Sequence, residues 1–377
     1  MEHRKFGKHD VSPSLLGFGC MRLPLTEDGS INEELGVQMV RAAVKGGVNY
    51  FDSSYVYNDG KSEMFIGRAL AEYPRGSFYM ATKLPTWSVN SVEEADRIFD
   101  EQLRRLGMDY IDFYLLQALD DYKWRKMRRL DIIEWGEELK KAGKIKYFGF
   151  SFHDYYCSFE NIITSREWDF CQIQLNYMDT GVEQGGLPAY ELCVEKGVPL
   201  IVMEPVKGGS LSKLPGDLNR YFTNINPMAT VSSWAMRWVI GLPGVKLILS
   251  GMNNMSQVED NLSTFNNFTP LSFEEKVAVE TVKNERVKRS NNGCVYCDYC
   301  APCPNGVSIS RVFKIWNDYA IYENFDVAKW EWLYALKEGE KPKNCVNCGV
   351  CEKQCSQKIN VVNDLKLAQA ELDRLFL

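Results

Sequence analysis

The chain has 377 residues, which is enough for one large domain and a smaller one. Its residues are 45% hydrophobic and 25% charged, and the formal net charge of −6 is spread over both signs along the chain. This balance gives no reason to expect a nucleic acid or an acidic membrane surface as a partner. The polar N-terminus lacks an apolar signal segment, and no apolar run is long enough to span a bilayer. We therefore expect a cytoplasmic protein.

Eight short apolar runs before residue 270 predict β-strands. Most of them are continuous rather than alternating, as expected for parallel strands that are buried on both faces. The runs are Leu15–Phe18, Tyr50–Phe51, Phe78–Ala81, Ile111–Leu116, Tyr147–Phe152, Phe170–Leu175, Leu200–Met203 and Leu247–Leu249.

Helices are predicted between the strands and after them. The predicted helix starts, with capping-type residues, are Asn32, Ser91, Asp131 and Ser272, the second and fourth each with a glutamate three residues later. Two further helices are predicted over Ser308–Tyr322 and Asp326–Leu336. Eight strand–helix repeats favour a (β/α)8 TIM barrel. An open doubly wound sheet is the alternative, but its GxGxxG loop is missing after the first strand.

Eight of the 12 cysteines lie close together near the end of the chain. Without an export signal, such density indicates metal ligands rather than disulfides. The two runs are Cys294-x2-Cys297-x2-Cys300-x2-Cys303 and Cys345-x2-Cys348-x2-Cys351-x3-Cys355. The change of pattern predicts two domains, a barrel over residues 1–290 and a small α-helical, cysteine-rich domain over residues 291–377.

The spacing of these cysteines favours iron–sulfur clusters. Three thiolates can hold three irons of one cubane, while the fourth cysteine of each run reaches the other cubane. This exchange predicts two [4Fe–4S] clusters with the ligand sets Cys294, Cys297, Cys300, Cys355 and Cys345, Cys348, Cys351, Cys303. Zinc is the alternative, since four cysteines also form a closed tetrahedral site. Zinc sites usually use two separated CxxC pairs, so the close spacing favours iron.

Polar residues follow several predicted strands at the end of the barrel where active sites lie. Asp52 ends the second strand, Tyr57 follows it, and Lys83 lies at the end of the third. A lysine ammonium can lower the pKa of a tyrosine, and a carboxylate can hold the lysine in place. Tyr57 could then protonate a substrate oxygen as hydride reaches the carbon. A structural ion pair beside a core tyrosine is the alternative.

Several segments carry a family resemblance, namely Arg4–Lys8, Leu16–Pro24, Asp52–Tyr57, Lys61–Glu63 with Ile66-Gly67, and Ala81–Lys83, together with the cysteine-rich tail. With these segments the chain resembles the aldo-keto reductase superfamily, in particular its subgroup with a C-terminal 4Fe–4S, ferredoxin-like domain. The resemblance implies an NAD(P)H-dependent oxidoreductase that acts on a small-molecule substrate through an Asp, Tyr, Lys and His tetrad. Three members correspond to Asp52, Tyr57 and Lys83, and the fourth position is Gln117.

Gln117 changes the chemistry that the resemblance implies. A glutamine can donate a hydrogen bond to a carbonyl oxygen, but it cannot become an imidazolium or pass a proton. The expected reaction therefore shifts toward a different substrate, such as a conjugated enone, or toward weak activity. His153 follows the fifth strand on the same rim and is a candidate replacement. A loop histidine with a structural hydrogen bond is the equal alternative.

The resemblance also implies a nicotinamide cofactor, NADP or NAD, along the barrel rim. Its expected contacts are Gly19, Met21, Ser151, Gln172, Val206, Gly208, Gly209, Gly251, Gln257 and Asn261. Gln257 stands where an arginine often binds the 2′-phosphate. Preference for NADP is therefore weakened unless Lys207 or Arg22 supplies that charge.

Hydride transfer moves two electrons at once and needs no cluster, so the predicted clusters require a separate explanation. They could pass electrons from a ferredoxin-type donor toward the barrel, through a flavin if one binds. They could instead only stabilise the helices of the tail. A third hypothesis is a redox or nicotinamide sensor with a weakly active barrel, which Gln117 slightly favours.

Overall fold

The computed structural model describes residues 1–377. Eight parallel strands close into a barrel in chain order, which confirms the predicted (β/α)8 fold. The strands are β1 (Leu16–Gly19), β2 (Tyr50–Asp52), β3 (Tyr79–Pro85), β4 (Ile111–Leu119), β5 (Ile145–Phe152), β6 (Phe170–Gln174), β7 (Leu200–Met203) and β8 (Val245–Gly251).

Helices alternate with the strands and continue after them. The first eleven are α1 (Glu33–Lys45), α2 (Lys61–Leu70), α3 (Val92–Leu106), α4 (Asp121–Arg129), α5 (Ile132–Lys141), α6 (Tyr156–Ile163), α7 (Gly186–Lys196), α8 (Gly216–Thr223), α9 (Val231–Ile240), α10 (Met255–Asn266) and α11 (Phe273–Val287). The last four are α12 (Ile309–Tyr322), α13 (Phe325–Trp330), α14 (Val350–Gln354) and α15 (Val361–Phe376). None of these helices combines the length and the apolar character that crossing a bilayer requires.

The two predicted capping boxes differ in the structure. Ser272 and Glu275 form a complete box at the start of α11, with reciprocal bonds of 3.1 and 2.8 Å between side chains and backbone N–H groups. At the start of α3, Ser91 accepts the N–H of Glu94 at 3.3 Å. The Glu94 carboxylate, however, accepts the N–H of Asn90 rather than that of Ser91. The carboxylate therefore satisfies a backbone donor one residue before the expected one.

The other two predicted helix starts are also in place, with different caps. Asn32 accepts the N–H of Leu35 at 3.1 Å and caps α1 as predicted. Asp131 precedes α5, but its side chain forms no cap, and its backbone has a φ of 55°. Its N–H instead bonds to Arg128 at the end of α4, because the two helices are joined by a tight turn.

Aromatic side chains close the amino-terminal end of the barrel. Phe113, near the start of β4, packs edge-to-face against Phe6 and Phe170, with ring centroids 5.2 Å away in both pairs. All three rings are fully buried. Removing such a ring costs about 3–5 kcal/mol. These apolar rings fill the amino-terminal end of the barrel, and the polar residues lie at the opposite end, where the strands finish.

The contact pattern divides the chain into two compact units, Met1–Gly208 with Met228–Lys276, and Gly209–Pro227 with Val277–Leu377. Helix α8 belongs to the second unit. There the buried Arg286 of α11 donates to the carbonyl oxygens of Ser210 and Lys213, at 3.1 and 2.6 Å. The boundary that the cysteine pattern suggests, at 290/291, lies inside this second unit.

The second unit has its own core, formed mainly by α12 and α15. Val312 and Trp332 are buried against Leu365 and Leu372 of the C-terminal helix. The indole Nε1 of Trp332 donates to Asp373 at 3.0 Å, so its one polar group is satisfied. The cysteine runs lie beside this core.

Candidate active site and cysteine cavities

The strand register brings the predicted catalytic residues to the carboxyl end of the barrel. Asp52, the last residue of β2, pairs with Ala81 of β3. Along the next pair of strands, Lys83 lies beside Leu115 and Pro85 beside Gln117. Tyr57 lies in the turn after β2. Four neighbouring segments therefore present polar side chains to one region.

Lys83 is the centre of a buried polar cluster. Its ammonium donates to Asp52 Oδ1, to the carbonyl oxygen of Ser53 at 2.7 Å, and to the hydroxyl of Tyr57 at 3.4 Å. The Lys83 and Asp52 side chains are 2% and 4% exposed. The structure therefore brings together the three residues that were expected to act together.

Burial dominates the ionisation of this cluster. Desolvation raises the pKa of Tyr57, although the Lys83 ammonium acts in the opposite direction. Desolvation likewise raises the pKa of Asp52 against the effect of Lys83. For Lys83, desolvation lowers the pKa, but the attraction of Asp52 and Tyr57 more than offsets it, and the pKa is raised. Tyr57 is thus protonated at neutral pH, and its pKa is raised, whereas the sequence pattern predicts a lowered one.

Gln117 is held from two sides. Its carboxamide oxygen accepts a hydrogen bond of 2.6 Å from the buried hydroxyl of Ser54, and its backbone carbonyl accepts one of 2.7 Å from Thr86. Its carboxamide nitrogen forms no hydrogen bond within the protein and is not sealed from the surface. Gln117 therefore keeps a donor available for a ligand.

His153 follows β5 on the same rim but forms separate contacts. Its backbone N–H bonds to Leu119 at 3.0 Å, and its Nδ1 lies 3.0 Å from the carboxamide oxygen of Gln184. The ring is exposed and forms no hydrogen bond with the cluster around Lys83. The geometry of the loop thus favours the structural interpretation of His153.

Two residues expected to hold the nicotinamide differ in whether their side chains already form hydrogen bonds within the protein. Ser151 accepts the backbone N–H of Ala118 at 2.8 Å. Gln172 is buried next to Asp52, and its side chain acts to lower the pKa of that carboxyl through a hydrogen bond, whereas the carboxamide oxygen of Gln172 lacks a hydrogen-bond partner. An unsatisfied buried acceptor costs about 1–3 kcal/mol. A carboxamide N–H of a bound nicotinamide would suit the Gln172 oxygen.

The loop after β7 is half-buried and has a cation beside it. Gly208 and Gly209 have φ values of 60° and 95°, which favour glycine. A Cβ on Gly208 would lie 3.4 Å from the guanidinium of Arg22, and one on Gly251 would lie 3.3 Å from Arg22 Cβ. Lys207, in contrast, is paired with Asp179 at 2.6 Å. Of the two cations predicted to bind a phosphate, Lys207 thus has an acidic partner, whereas Arg22 forms no ion pair with an acidic side chain.

The remaining expected contacts have mixed surroundings. The Gln257 oxygen accepts the N–H of Asn253 at 2.8 Å, and the Asn261 amide donates to Ser250 at 2.8 Å. The Gln257 side chain therefore holds the loop that precedes α10, and the Asn261 side chain joins α10 to the end of β8. The others are Gly19 at the end of β1, the exposed Met21 and the half-buried Val206.

Two serines of the site were not singled out from the sequence. Ser53 supplies the carbonyl that holds Lys83, and Ser54 supplies the hydroxyl that holds Gln117. Both side chains are completely buried. A signal was present, because two consecutive serines follow Asp52 directly at the end of β2.

The cysteines of the tail line two cavities. One is lined by Cys294, Cys297, Cys300 and Cys355. The other is lined by Cys303, Cys345, Cys348 and Cys351, with Cys300 also reaching it. No three His, Cys, Asp or Glu side chains are arranged around a single-ion position. Each cavity nevertheless contains all four cysteines of one predicted ligand set.

Backbone amides and burial shape the environment of these sulfurs. The N–H groups of Asn347 and Ile359 point at the sulfurs of Cys345 and Cys355, at 3.4 and 3.5 Å. Burial raises the pKa of the Cys300 thiol to about 11. A free thiol there is protonated at neutral pH, so metal binding has to displace the proton.

A closed (β/α)8 barrel with a buried lysine joining an aspartate and a tyrosine at the carboxyl end of its strands has the architecture of a barrel enzyme. A family model described as "Aldo/keto reductase family" matches residues 15–283. The chain therefore belongs to the aldo/keto reductase family.

Individual relatives agree with this assignment. A probable aldo-keto reductase 1 of Glycine max is 33% identical over 158 residues, covering 39% of this chain and 44% of that protein. The NADH-specific methylglyoxal reductase of Escherichia coli is 23% identical, covering 71% of this chain and 94% of that protein.

Solved structures show the same barrel. The aldo-keto reductase AKR11C1 of Bacillus halodurans, holo form, has a TM-score of 0.63 and 26% identity, covering 74% of this chain and 96% of its own. The Klebsiella pneumoniae aldo-keto reductase in complex with NADPH has a TM-score of 0.60 and 23% identity, covering 74% and 93%.

Proposed function

We propose that this chain is an NAD(P)H-dependent oxidoreductase that reduces a carbonyl group or a conjugated enone of a small molecule. The contact of Lys83 with both Asp52 and Tyr57 carries the proposal. The names of relatives support the cofactor, since one is an NADH-specific methylglyoxal reductase and another was solved with NADPH.

The residues of the barrel have complementary roles in this reaction. The bound nicotinamide would supply a hydride. Tyr57 would give its hydroxyl proton to the substrate oxygen, and the Lys83 ammonium would stabilise the phenolate that remains. Gln117 would donate a hydrogen bond to the same oxygen without changing its own charge. Asp52 holds Lys83 in position.

We further propose that a domain over residues 291–377 binds two [4Fe–4S] clusters, with the exchanged ligand sets given above. The grouping of the sulfurs around two cavities supports this arrangement. Such clusters would accept single electrons from a ferredoxin-type donor, with a flavin as the carrier if one binds. They would also join the cysteine runs to the helical core, as metal sites do in small domains.

The test is a study of anaerobically purified, full-length protein. Iron, acid-labile sulfide and zinc are measured together with the electron paramagnetic resonance spectrum after reduction. Oxidation of NADPH and NADH is followed with methylglyoxal, an aromatic aldehyde, an aliphatic ketone and a cyclic enone. We expect iron and sulfide in equal amounts and turnover of at least one compound. Zinc in place of iron would refute the cluster proposal, and binding of nucleotide without turnover would refute the enzymatic one.

A nicotinamide sensor with a weakly active barrel is the second candidate. Gln117 favours it, because a side chain that cannot titrate replaces the histidine that the family resemblance implies. Tight binding of NADPH without oxidation by any of the four compounds is the result expected of a sensor.

A further inference from the structure

The segment after β2 connects the two groups that would bind the substrate oxygen. The hydroxyl of Ser54 donates to the carboxamide oxygen of Gln117 at 2.6 Å. The carbonyl oxygen of the same serine accepts the backbone N–H of Tyr57 at 3.1 Å. Ser54 therefore forms hydrogen bonds with both the carboxamide of Gln117 and the backbone of Tyr57.

The hydrogen bond to Ser54 also determines which way the Gln117 carboxamide points. The Ser54 side chain is completely buried, and Gln117 is the one acceptor that its hydroxyl reaches. Rotating the carboxamide by 180° would turn an N–H toward Ser54 and leave the serine proton buried without an acceptor. That loss costs about 1–3 kcal/mol. The stable orientation therefore leaves the carboxamide nitrogen as the outward donor.

We propose that Ser54 is a positioning residue that orients Gln117 as a hydrogen-bond donor to the substrate oxygen, beside the hydroxyl of Tyr57. The inference rests on the proposed reductase function. It implies a preference for substrates whose oxygen gains negative charge during the reaction, since a fixed donor aimed at that oxygen binds the transition state more tightly than the ground state.

Ser54→Ala removes the hydroxyl, and Ser54→Thr keeps it. We expect Ser54→Ala to lower kcat about tenfold and to change KM less, because a misaligned donor acts mainly in the transition state. Ser54→Thr should retain most of the activity. Ser88→Ala is the matched control, since Ser88 lies just after β3 and its hydroxyl donates to the carbonyl oxygen of Pro85, away from Gln117 and Tyr57.

A double-mutant cycle separates positioning from general damage. In a Gln117→Ala background, Ser54→Ala should cause no additional loss of kcat, because the group that it positions is already gone. An additive loss, or an unchanged kcat in Ser54→Ala alone, would overturn the proposal.

A second readout does not depend on turnover. In protein labelled with ¹⁵N-glutamine, the side-chain heteronuclear NOE of Gln117 should indicate a rigid carboxamide in the wild type and in Ser54→Thr, and a mobile one in Ser54→Ala. Equal mobility in all three proteins contradicts the orienting role. A rigid carboxamide in a wild type that reduces none of the four compounds would instead contradict the reductase function alone.

Discussion

Lys83 and Asp52 form an ion pair inside the barrel, where both side chains are almost completely buried. Desolvating two charges is costly, and their attraction offsets that cost only when both partners are present. The barrel therefore retains an arrangement that contributes little to stability and that places an ammonium against the hydroxyl of Tyr57.

The first prediction separates the contribution of this ion pair to the stability of the protein from its contribution to kcat. Lys83→Met should cost about 3–5 kcal/mol, because it leaves the Asp52 carboxylate buried and unpaired. It should also lower kcat by about 100-fold or more, since Tyr57 loses the charge that stabilises its phenolate. Chemical denaturation and steady-state kinetics measure the two effects.

The double variant Asp52→Leu with Lys83→Met is the control for that experiment. Because both charges are removed, we expect most of the stability to return while kcat stays low. Recovery of activity together with stability would show that Lys83 acts only as a structural residue.

The second prediction concerns the pH dependence of reduction. The proposed reaction needs a protonated Tyr57, and the pKa of this residue is raised above its ordinary value of 10.0. Activity should therefore be constant through the neutral range and be lost only as the pH rises above about 10. Gln117→His should add an ionisation near about pH 6.5, since histidine titrates there and glutamine does not.

Profiles of kcat/KM for wild type and Gln117→His provide the measurement. A loss of wild-type activity between about pH 7 and 9 would mean that another group, or a tyrosine with a lowered pKa, donates the proton.

The third prediction tests the exchange of ligands between the two clusters. Cys355→Ser should remove the cluster of Cys294, Cys297 and Cys300, and Cys303→Ser should remove the other, because each changed cysteine lines the cavity of the opposite run. Each variant should retain one [4Fe–4S] signal with about half the iron.

Mössbauer and electron paramagnetic resonance spectra of the anaerobic proteins identify the surviving cluster. Cys157→Ser is the control, since Cys157 is exposed on α6 and belongs to neither run. If Cys303→Ser removed the cluster held by its own run, the ligands would not be exchanged.

The fourth prediction assigns Arg22 to the nucleotide. Its guanidinium lies beside Gly208, and its aliphatic part lies beside Gly251, and both glycines are among the residues expected to contact the nucleotide. Arg22→Ala should weaken the binding of NADPH and of NADH by similar factors, about 10- to 100-fold, because both carry the pyrophosphate and a charged hydrogen bond contributes about 1.5–3 kcal/mol. Nucleotide fluorescence titrations measure both constants.

Arg41→Ala is the matched control for the nucleotide titrations, because Arg41 is bound to Glu72 on the surface of α1 and α2. A loss confined to NADPH would instead place Arg22 at the 2′-phosphate.

The barrel was predictable because its strands are buried on both faces and therefore read as continuous apolar runs. The placement of Asp52 and Lys83 follows from that reading, since neighbouring parallel strands end at the same rim. The contact between Ser54 and Gln117 was not predictable, because the two residues are 63 positions apart and meet only when the barrel closes. The raised pKa of Tyr57 likewise depends on burial, which no local pattern contains.

Two helices differ in how clearly the sequence pattern predicts them. Helix α4 is strongly charged, and only Trp124 and Met127 are buried, so no apolar stripe marks it. Helix α15 buries five residues at helical spacing, so the apolar periodicity of its sequence is enough to predict a helix. The five are Val361, Leu365, Ala368, Leu372 and Phe376.

The fifth prediction concerns the acid stability of the barrel. Arg237 of α9 binds Glu275 of α11 through two hydrogen bonds, at 2.6 and 2.8 Å, and both side chains are largely buried. Although burial acts against it, these bonds and those from Ser272 hold the pKa of Glu275 below its ordinary value of 4.5. Glu275→Gln should lower the free energy of unfolding at pH 7 by about 2–3 kcal/mol.

The pH dependence of this difference has a definite sign. A carboxyl whose pKa is lower in the folded state stabilises the protein above the unfolded pKa, and that stabilisation disappears as the pH falls through the folded value. Wild type and Glu275→Gln should therefore differ by a constant amount from pH 7 to about 5 and converge below about pH 4.5. Urea denaturation over this range measures the difference. Glu274→Gln, the exposed neighbour, should differ little from wild type throughout. If Glu274→Gln were as destabilising, the effect would come from the charge at the start of α11 and not from the bond to Arg237.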